Sequence, residues 1–407
     1  MIHQRTSLRI AVTILVIFTI QNCDPGTEDE ETTGFIYSTN QDQITIDAEP
    51  FYIRGVVYVP FAAGYLPWEF EYNDNLPDIL TQRIDEDIAG IEALGVNTIR
   101  LWGAPPYCYE RIADQTDLLI IQTIWLETEH EDFGSDDFIN TSKTIIDNSI
   151  QKIFSVLPTD NPPILAYLIG NELARQNIIN TNNARPGLYS FSGTYIQTDT
   201  ILTATEHSLA ILADYLKESV AAYTSVEPLV SYSNEIRTYD FIDTPFMDFR
   251  CYNVYSYAVD YYVANPPLGS TSGTITQGFI ESLKTTHPEL PVLITETGLS
   301  VSPEAHHIGP PNYSYGGNTE AEQAAGIIQT ILDIETASPP IAGVIIHEFN
   351  DAWWKFGLED SYTQDPSDIE EWFGLTGFTG ESTDWELAPR ESYYAIKNYW
   401  NNQSKTE

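Results

Sequence analysis

Strand-like and helix-like segments alternate along residues 51–349 with no internal repeat and no low-complexity break. Eight strand candidates can be counted: Phe51–Tyr58, Asn97–Gly103, Leu118–Leu126, Ile164–Glu172, Pro228–Asn234, Asp248–Tyr257, Val292–Thr297 and Ala342–Phe349. Most are largely apolar along their length, as strands buried on both faces must be. Between them, Asp78–Leu94, Thr141–Leu157, Glu206–Tyr223 and Glu320–Thr336 carry helical character, and Gly95 follows Leu94 where a helix C-terminus favours glycine. This alternation predicts an α/β protein with a parallel sheet and crossover helices. Eight units in about 300 residues fit a closed (β/α)₈ barrel better than an open sheet. An open doubly wound sheet is expected to carry a Gly-rich phosphate loop after its first strand, and none is present. The expectation is a single barrel over residues 41–402, its floor closed by a short N-terminal hairpin around Ile44–Ile46.

The first forty residues have a different character. Arg5 and Arg9 precede an apolar run, Ile10–Ile20, that is too short to span a bilayer and has the length of a signal-peptide core. The run ends at Cys23, followed by the acidic stretch Asp24–Glu31, and resembles a bacterial lipoprotein signal. That resemblance implies a signal peptide at 1–22, lipidation of Cys23 and a disordered acidic tether over 23–40. It implies an exported cell-envelope lipoprotein, periplasmic or at the outer surface, touching membrane only through its anchor; ordinary cleavage and secretion is the alternative. Cys108 and Cys251 then remain, too few for a disulfide framework, and are expected as free thiols.

Charge narrows the partners. Eighteen Lys and Arg oppose 59 Asp and Glu, for a formal net charge of −41. Such a surface repels phosphate backbones, which argues against nucleic acid as a partner. A neutral polysaccharide is indifferent to it, and solubility alone accounts for the acidity. Eight Trp and 25 Tyr exceed the needs of a core, because each polar tip must find a partner. The excess suits a sugar-stacking cleft, with plain packing as the alternative.

In a (β/α)₈ barrel, active sites lie at the C-terminal ends of the strands. The fourth candidate ends at Asn171-Glu172, and the seventh, Pro291–Thr295, ends at Glu296. A carboxylate at the end of an apolar strand is costly if buried without purpose. Two of them on suitable strands supply a general acid/base and a nucleophile, the pair that a retaining glycosidase holds about 5 Å apart. A nearby Arg100 would favour an ionised Glu296, and the negative Glu296 would keep Glu172 protonated. Each glutamate alone could instead pair with an arginine, Arg100 could be a structural ion-pair partner, and Tyr255 a core tyrosine. No metal site stands out, since adjacent side chains such as His306-His307 rarely converge on one ion, and Asp351, which follows the eighth strand and could line the site, is a single acid. No cofactor is expected.

Together these segments resemble glycoside hydrolase clan A over roughly residues 50–400. Ile169-Gly170-Asn171-Glu172 matches the clan's acid/base strand, and Ile294-Thr295-Glu296-Thr297-Gly298 its nucleophile strand. Asn97-Thr98-Ile99-Arg100 matches the arginine that supports the nucleophile, and Asn253-Val254-Tyr255 the tyrosine that hydrogen-bonds it. Ile346–Asp351 followed by Trp353-Trp354 resembles the aromatic end that floors the sugar site. The resemblance implies a retaining hydrolase of β-linked oligo- or polysaccharides, with Glu172 and Glu296 catalytic and Arg100, Asn171, Tyr255, Trp353 and Trp102 around the substrate. Trp353 is preferred over Trp354, because adjacent side chains on extended backbone face opposite ways. Within the clan the chain is similar to β-1,3-glucanosyltransferases and to β-galactosidase- and β-mannosidase-type barrels. It lacks the Cys-rich module of the first and the flanking β-sandwiches of the others. A transglycosylase using the same pair, and a non-catalytic glycan-binding surface lipoprotein, stand as alternatives.

Overall fold

A computed structural model describes residues 34–403 apart from 74, 259–272, 312, 356–361 and 382–383. The expected signal peptide and Cys23 lie outside the described residues. The chain enters through a three-stranded antiparallel sheet of β1 (Tyr37–Thr39), β2 (Ile44–Ile46) and β3 (Glu49–Phe51). Tyr37 and Ile44 are buried against Ile53, Leu119 and Leu165, so this sheet plugs the floor of the barrel. The expected tether boundary at residue 40 is therefore corrected: Tyr37–Thr39 already pairs with Ile44–Ile46.

Eight parallel strands close into a barrel. They are β4 (Ile53–Tyr58), β5 (Thr98–Leu101), β6 (Leu119–Ile124) and β7 (Ile164–Asn171), then β10 (Leu229–Glu235), β11 (Arg250–Asn253), β12 (Val292–Thr297) and β13 (Gly343–Ile346). Pairing of Gly343 with Ile53 joins the last strand to the first. Every candidate strand is present, each within a residue or a few of the expected bounds. Outward residues such as Val56, Ile99 and Ile294 pack on the helices, while Ile53, Val57, Ile121 and Leu293 fill the lower barrel. Burial on both faces is why these segments carry continuous apolar runs instead of alternating ones.

Helices Asp78–Ala93, Pro106–Gln115, Asp136–Phe154, Ala204–Ala221, Ile275–Thr286 and Glu320–Glu335 cover the outside, and Glu391–Gln403 packs beside the last of them. The helix expected from Thr141 begins earlier, because Ser135 caps it through its side chain and the first turn, Asp136-Asp137, is polar. Thr203 with Glu206 and Thr319 with Glu322 form capping boxes. Gly95 adopts φ +82°, as the glycine cap requires. Residues 236–249, between β10 and β11, form turns instead of a helix. Two antiparallel hairpins were not expected: β8 (Tyr189–Ser192) with β9 (Gln197–Leu202), and β14 (Thr376–Glu381) with β15 (Asp384–Pro389). Cys108 and Cys251 are buried and free.

Asp351 does not line the cleft, which corrects the expectation of an acid at the rim. Its side chain is fully buried and takes four hydrogen bonds: two from Arg390, each 2.6 Å, one from Gln364 at 2.7 Å and one from the Gly374 amide at 3.0 Å. Arg390 also donates to the Gly374 carbonyl at 2.6 Å. The pair thus ties the post-β13 loop to the segment leading into the C-terminal helix. Asp351→Ala strands a buried guanidinium, so denaturant unfolding should show a loss of about 3–5 kcal/mol. A loss below about 1 kcal/mol would mean that water or a neighbour replaces the lost partner.

Candidate active site

Two β-bulges shape the C-terminal rim of the barrel. Along β7, Leu168 and Asn171 pair with Ser231 and Ser233 of β10, so three steps on one strand match two on the other. The extra residue lies at Gly170, whose φ of +79° suits glycine. Leu168 points into the barrel, and simple alternation would send Asn171 outward. The inserted residue resets the phase and brings Asn171 into the cleft. Glu172 follows with φ +50°, a strained value for a side chain with a Cβ, and its amide still donates to the Ser233 carbonyl at 3.0 Å. On β12, Ile294 to Glu296 spans two steps against one on β11, from Tyr252 to Asn253. Thr295 and Glu296 can then both face the interior despite being adjacent.

These bulges bring Glu172 and Glu296 onto one cleft of about 640 Å³, together with Asn171, Asn253, Tyr255 and Trp102. Arg100, fully buried on β5, organises them from below. Its guanidinium donates to Glu296 Oε1 at 2.8 Å, the Thr295 carbonyl at 2.9 Å, Asn171 Oδ1 at 2.9 Å and Thr123 Oγ1 at 3.0 Å. The Tyr255 hydroxyl donates to Glu296 Oε2 at 2.7 Å. Both oxygens of Glu296 are therefore held by donors, one of them a cation.

Glu172 sits in another environment. Asn253 Nδ2 donates to its Oε1 at 2.7 Å. Asn253 is held in this orientation because Nδ2 also donates to Asn171 Oδ1 at 3.2 Å, an oxygen already accepting from Arg100, while its own Oδ1 accepts from Ser233 at 3.0 Å and from Thr295 at 2.9 Å. Burial first, then the charges of Glu296 and Glu235, push the Glu172 carboxyl up to about 8. With Oε1 accepting from Asn253, the proton belongs on Oε2. Asn171 spends its Oδ1 on Arg100 and Asn253 and makes no hydrogen bond through Nδ2 among the described residues, which leaves that amide for a ligand.

Trp353, expected beside the substrate, does not line the cleft. It is 4% exposed and packs edge-on against Phe378, with Phe61 on its other side. Trp354 faces the cleft instead. The preference failed because Phe378 belongs to the β14–β15 hairpin, which supplies an apolar seat that was not anticipated. Tyr107, just past the end of β5, donates to Asp85 at 2.8 Å and does not line the cleft. Trp102 does, within 5.4 Å of Trp125 and 5.9 Å of His347, measured between ring centres.

Several cleft residues escaped sequence reasoning. His347 was quoted only as part of an aromatic strand end. Lys355 approaches its Nε2 at 3.1 Å, and Nδ1 lies 3.7 Å from Glu296 Oε2. Burial first, then Lys355 and Arg100, hold the imidazole well below its usual range, so it is neutral. Lys355 has only protons to offer, which makes Nε2 the acceptor and places the ring proton on Nδ1. Glu235 and Arg237, paired at 2.6 Å, and Glu370 also line the cleft. Glu370 opens a short 3-10 helix more than seventy residues past Glu296, and no local motif marked it. A second cavity of about 440 Å³ adjoins, sharing Trp68, Trp102, Trp125 and Trp354 with the first.

A closed parallel (β/α)₈ barrel whose C-terminal rim gathers two differently placed glutamates defines the class. The sequence matches no protein-family model and no curated protein sequence. In fold, the chain is similar to a GH2 β-galacturonidase from Eisenbergiella tayi, with TM-score 0.57, 16% identity and coverage of 90% of this chain and 54% of that one. It is also similar to the β-glucuronidases of Ruminococcus gnavus (TM-score 0.57, 13% identity, 90% and 53%) and Dictyoglomus thermophilum (0.58, 12%, 90% and 53%). The chain thus spans about half the length of these structures. At this identity the likeness bears out the (β/α)₈ barrel that the motifs suggested, and it does not reach the glucanosyltransferase, β-galactosidase or β-mannosidase families.

Proposed function

We propose that this chain is a retaining β-glycoside hydrolase in which Glu296 is the nucleophile and Glu172 the general acid/base. The observation that carries the reading is the asymmetry between two carboxyls on one cleft. Glu296 is gripped by Arg100 and Tyr255, as a carboxylate must be to attack as an anion. Glu172 is held up near 8, so at neutral pH it has a proton to give.

In the first step Glu296 attacks the anomeric carbon while Glu172 Oε2 protonates the departing oxygen, and a glycosyl-enzyme ester forms. That ester removes the Glu296 charge, one of the causes raising the Glu172 pKa. Glu172 has also lost its proton and is now a base for water, so the same carboxyl serves both steps. Asn171 Nδ2 is placed to hold a sugar hydroxyl, and the tryptophan-walled second cavity suits a further sugar of an oligosaccharide.

Incubation with a panel of β-linked oligosaccharides should release reducing sugar, and proton NMR of the earliest product should show the β-anomer. An α-anomer at first appearance implies inversion and carboxyls roughly 6.5–9.5 Å apart, which rules out the assigned roles.

A further inference from the structure

The cleft's charge is unlike what a carboxylate-bearing sugar requires. Glu235, Glu296 and Glu370 line it beside the protonated Glu172, and the cations near them are already engaged. Arg100 holds Glu296 at 2.8 Å, Arg237 holds Glu235 at 2.6 Å, and Lys355 holds the buried Glu348 at 2.7 Å. Glu370 is left with the Tyr315 hydroxyl, which donates to it, and with Lys355 Nζ no nearer than 3.9 Å. Lys355 links it to His347, and His347 to Glu296, so Glu370 belongs to the wall beside the nucleophile.

A second observation points to a ligand here. His347 is 3% exposed, lines the cleft, and its Nδ1 has no hydrogen-bond partner. The indole nitrogens of Trp102 and Trp354, on the same cleft, also lack partners. Buried donors without acceptors are costly, and ligand oxygens would satisfy them. Donors that await hydroxyl oxygens, beside an acceptor that awaits hydroxyl protons, match an uncharged polyol ring. A carboxylate would satisfy the same donors, but it would have to sit among like charges.

We propose that Glu370 makes this cleft selective for a neutral hexosyl unit and rejects uronic acids, in contrast to the uronidases whose barrel fold it shares. The proposal rests on the glycosidase reading of the cleft and adds its substrate class. Burial and the Glu296 charge push Glu370 up to about 7, so a neighbour that donates hydrogen bonds favours its anion and a ligand carboxylate opposes it.

Calorimetry with isofagomine, a neutral-hexose mimic, and with its C6-carboxylate analogue tests this on the intact protein without relying on turnover. Wild type should bind the uncarboxylated form on the order of 100-fold more tightly, the scale set by like charges brought together in a desolvated site. Glu370→Gln, which keeps the shape and removes the charge, should shrink that ratio by about tenfold, and Glu370→Lys should shrink it further. Thermal melting of each variant checks that the fold is kept. Equal or reversed affinities in wild type overturn the proposal while leaving the glycosidase reading intact. An unchanged ratio in a folded Glu370→Gln variant overturns Glu370 as its cause. If neither compound binds and no β-glycoside is cleaved, the glycosidase reading fails and takes the proposal with it.

Discussion

Glu296→Ala should abolish turnover of every β-glycoside that the wild type cleaves, whatever its leaving group. Without the carboxylate no glycosyl-enzyme ester forms, and a good leaving group cannot compensate for a missing attacking atom. The expected loss is on the order of 10⁶-fold, the scale reached when a covalent nucleophile is deleted elsewhere. The variant should fold, yet its pocket is altered in a defined way. Arg100 keeps Asn171, Thr123 and the Thr295 carbonyl as partners but loses the one carboxylate it pairs with among the described residues. Azide can enter the vacated volume beside that cation and attack from the nucleophile's side. Turnover of an activated aryl β-glycoside should then return in part, with an α-glycosyl azide as product. Steady-state rates and NMR of the azide adduct measure both effects. A Glu296→Ala variant within about tenfold of wild type removes Glu296 from the chemistry.

The barrel was legible because its strands obey a rule that needs no neighbours. A strand covered by helices outside and packed within is apolar on both faces, and eight such runs close a barrel. The two cleft glutamates were legible for a related reason, since a glutamate ending such a run stands out against it. What stayed hidden depended on elements with weaker signals. The β14–β15 hairpin carries Phe378, and without Phe378 there is no reason to bury Trp353 and turn Trp354 to the cleft. Asp351 looked like a rim acid until Arg390, thirty-nine residues later, claimed both its oxygens. Asn253 had been noted only as the start of a motif valued for its tyrosine. Its contact with Glu172 depends on the bulge between β11 and β12 and on hydroxyls from two other strands. Glu370 and His347 likewise gain meaning only from Lys355, which lies between them.

Glu172→Ala should separate the two steps that Glu296→Ala removes together. Loss of the acid harms glycosylation in proportion to the leaving group's need for a proton. Natural β-linked sugars should slow by about 10²–10⁴-fold, the usual worth of general acid–base assistance. A dinitrophenyl β-glycoside departs without protonation, so its glycosyl-enzyme should still form at nearly the normal rate. Deglycosylation then lacks its base, and the ester should accumulate as a burst, visible by mass spectrometry of the intact protein. Azide attacks without a base and from the face opposite the ester, so it should restore turnover and give a β-glycosyl azide. Reversal of the two azide stereochemistries between the variants would exchange the assigned roles. The pH profile adds an independent check. Glu172 must be protonated to act as acid, and its folded-state pKa is raised to about 8 by burial first and Glu296 second. The kcat/KM for natural substrates should therefore hold through neutral pH and fall as pH rises past about 8, where the free enzyme loses that proton. In Glu172→Gln the remaining activity should lack this basic limb, because the amide has no proton to lose. The same raised pKa means that the folded protein binds a proton which the unfolded chain has released, so this group's contribution to stability declines from about pH 4.5 to about pH 8. Glu172→Gln should thus melt higher than wild type at pH 8, with the difference shrinking as pH falls toward 4.5. A stabilised variant that has lost its basic limb and accumulates the ester is an outcome that a merely structural Glu172 cannot produce.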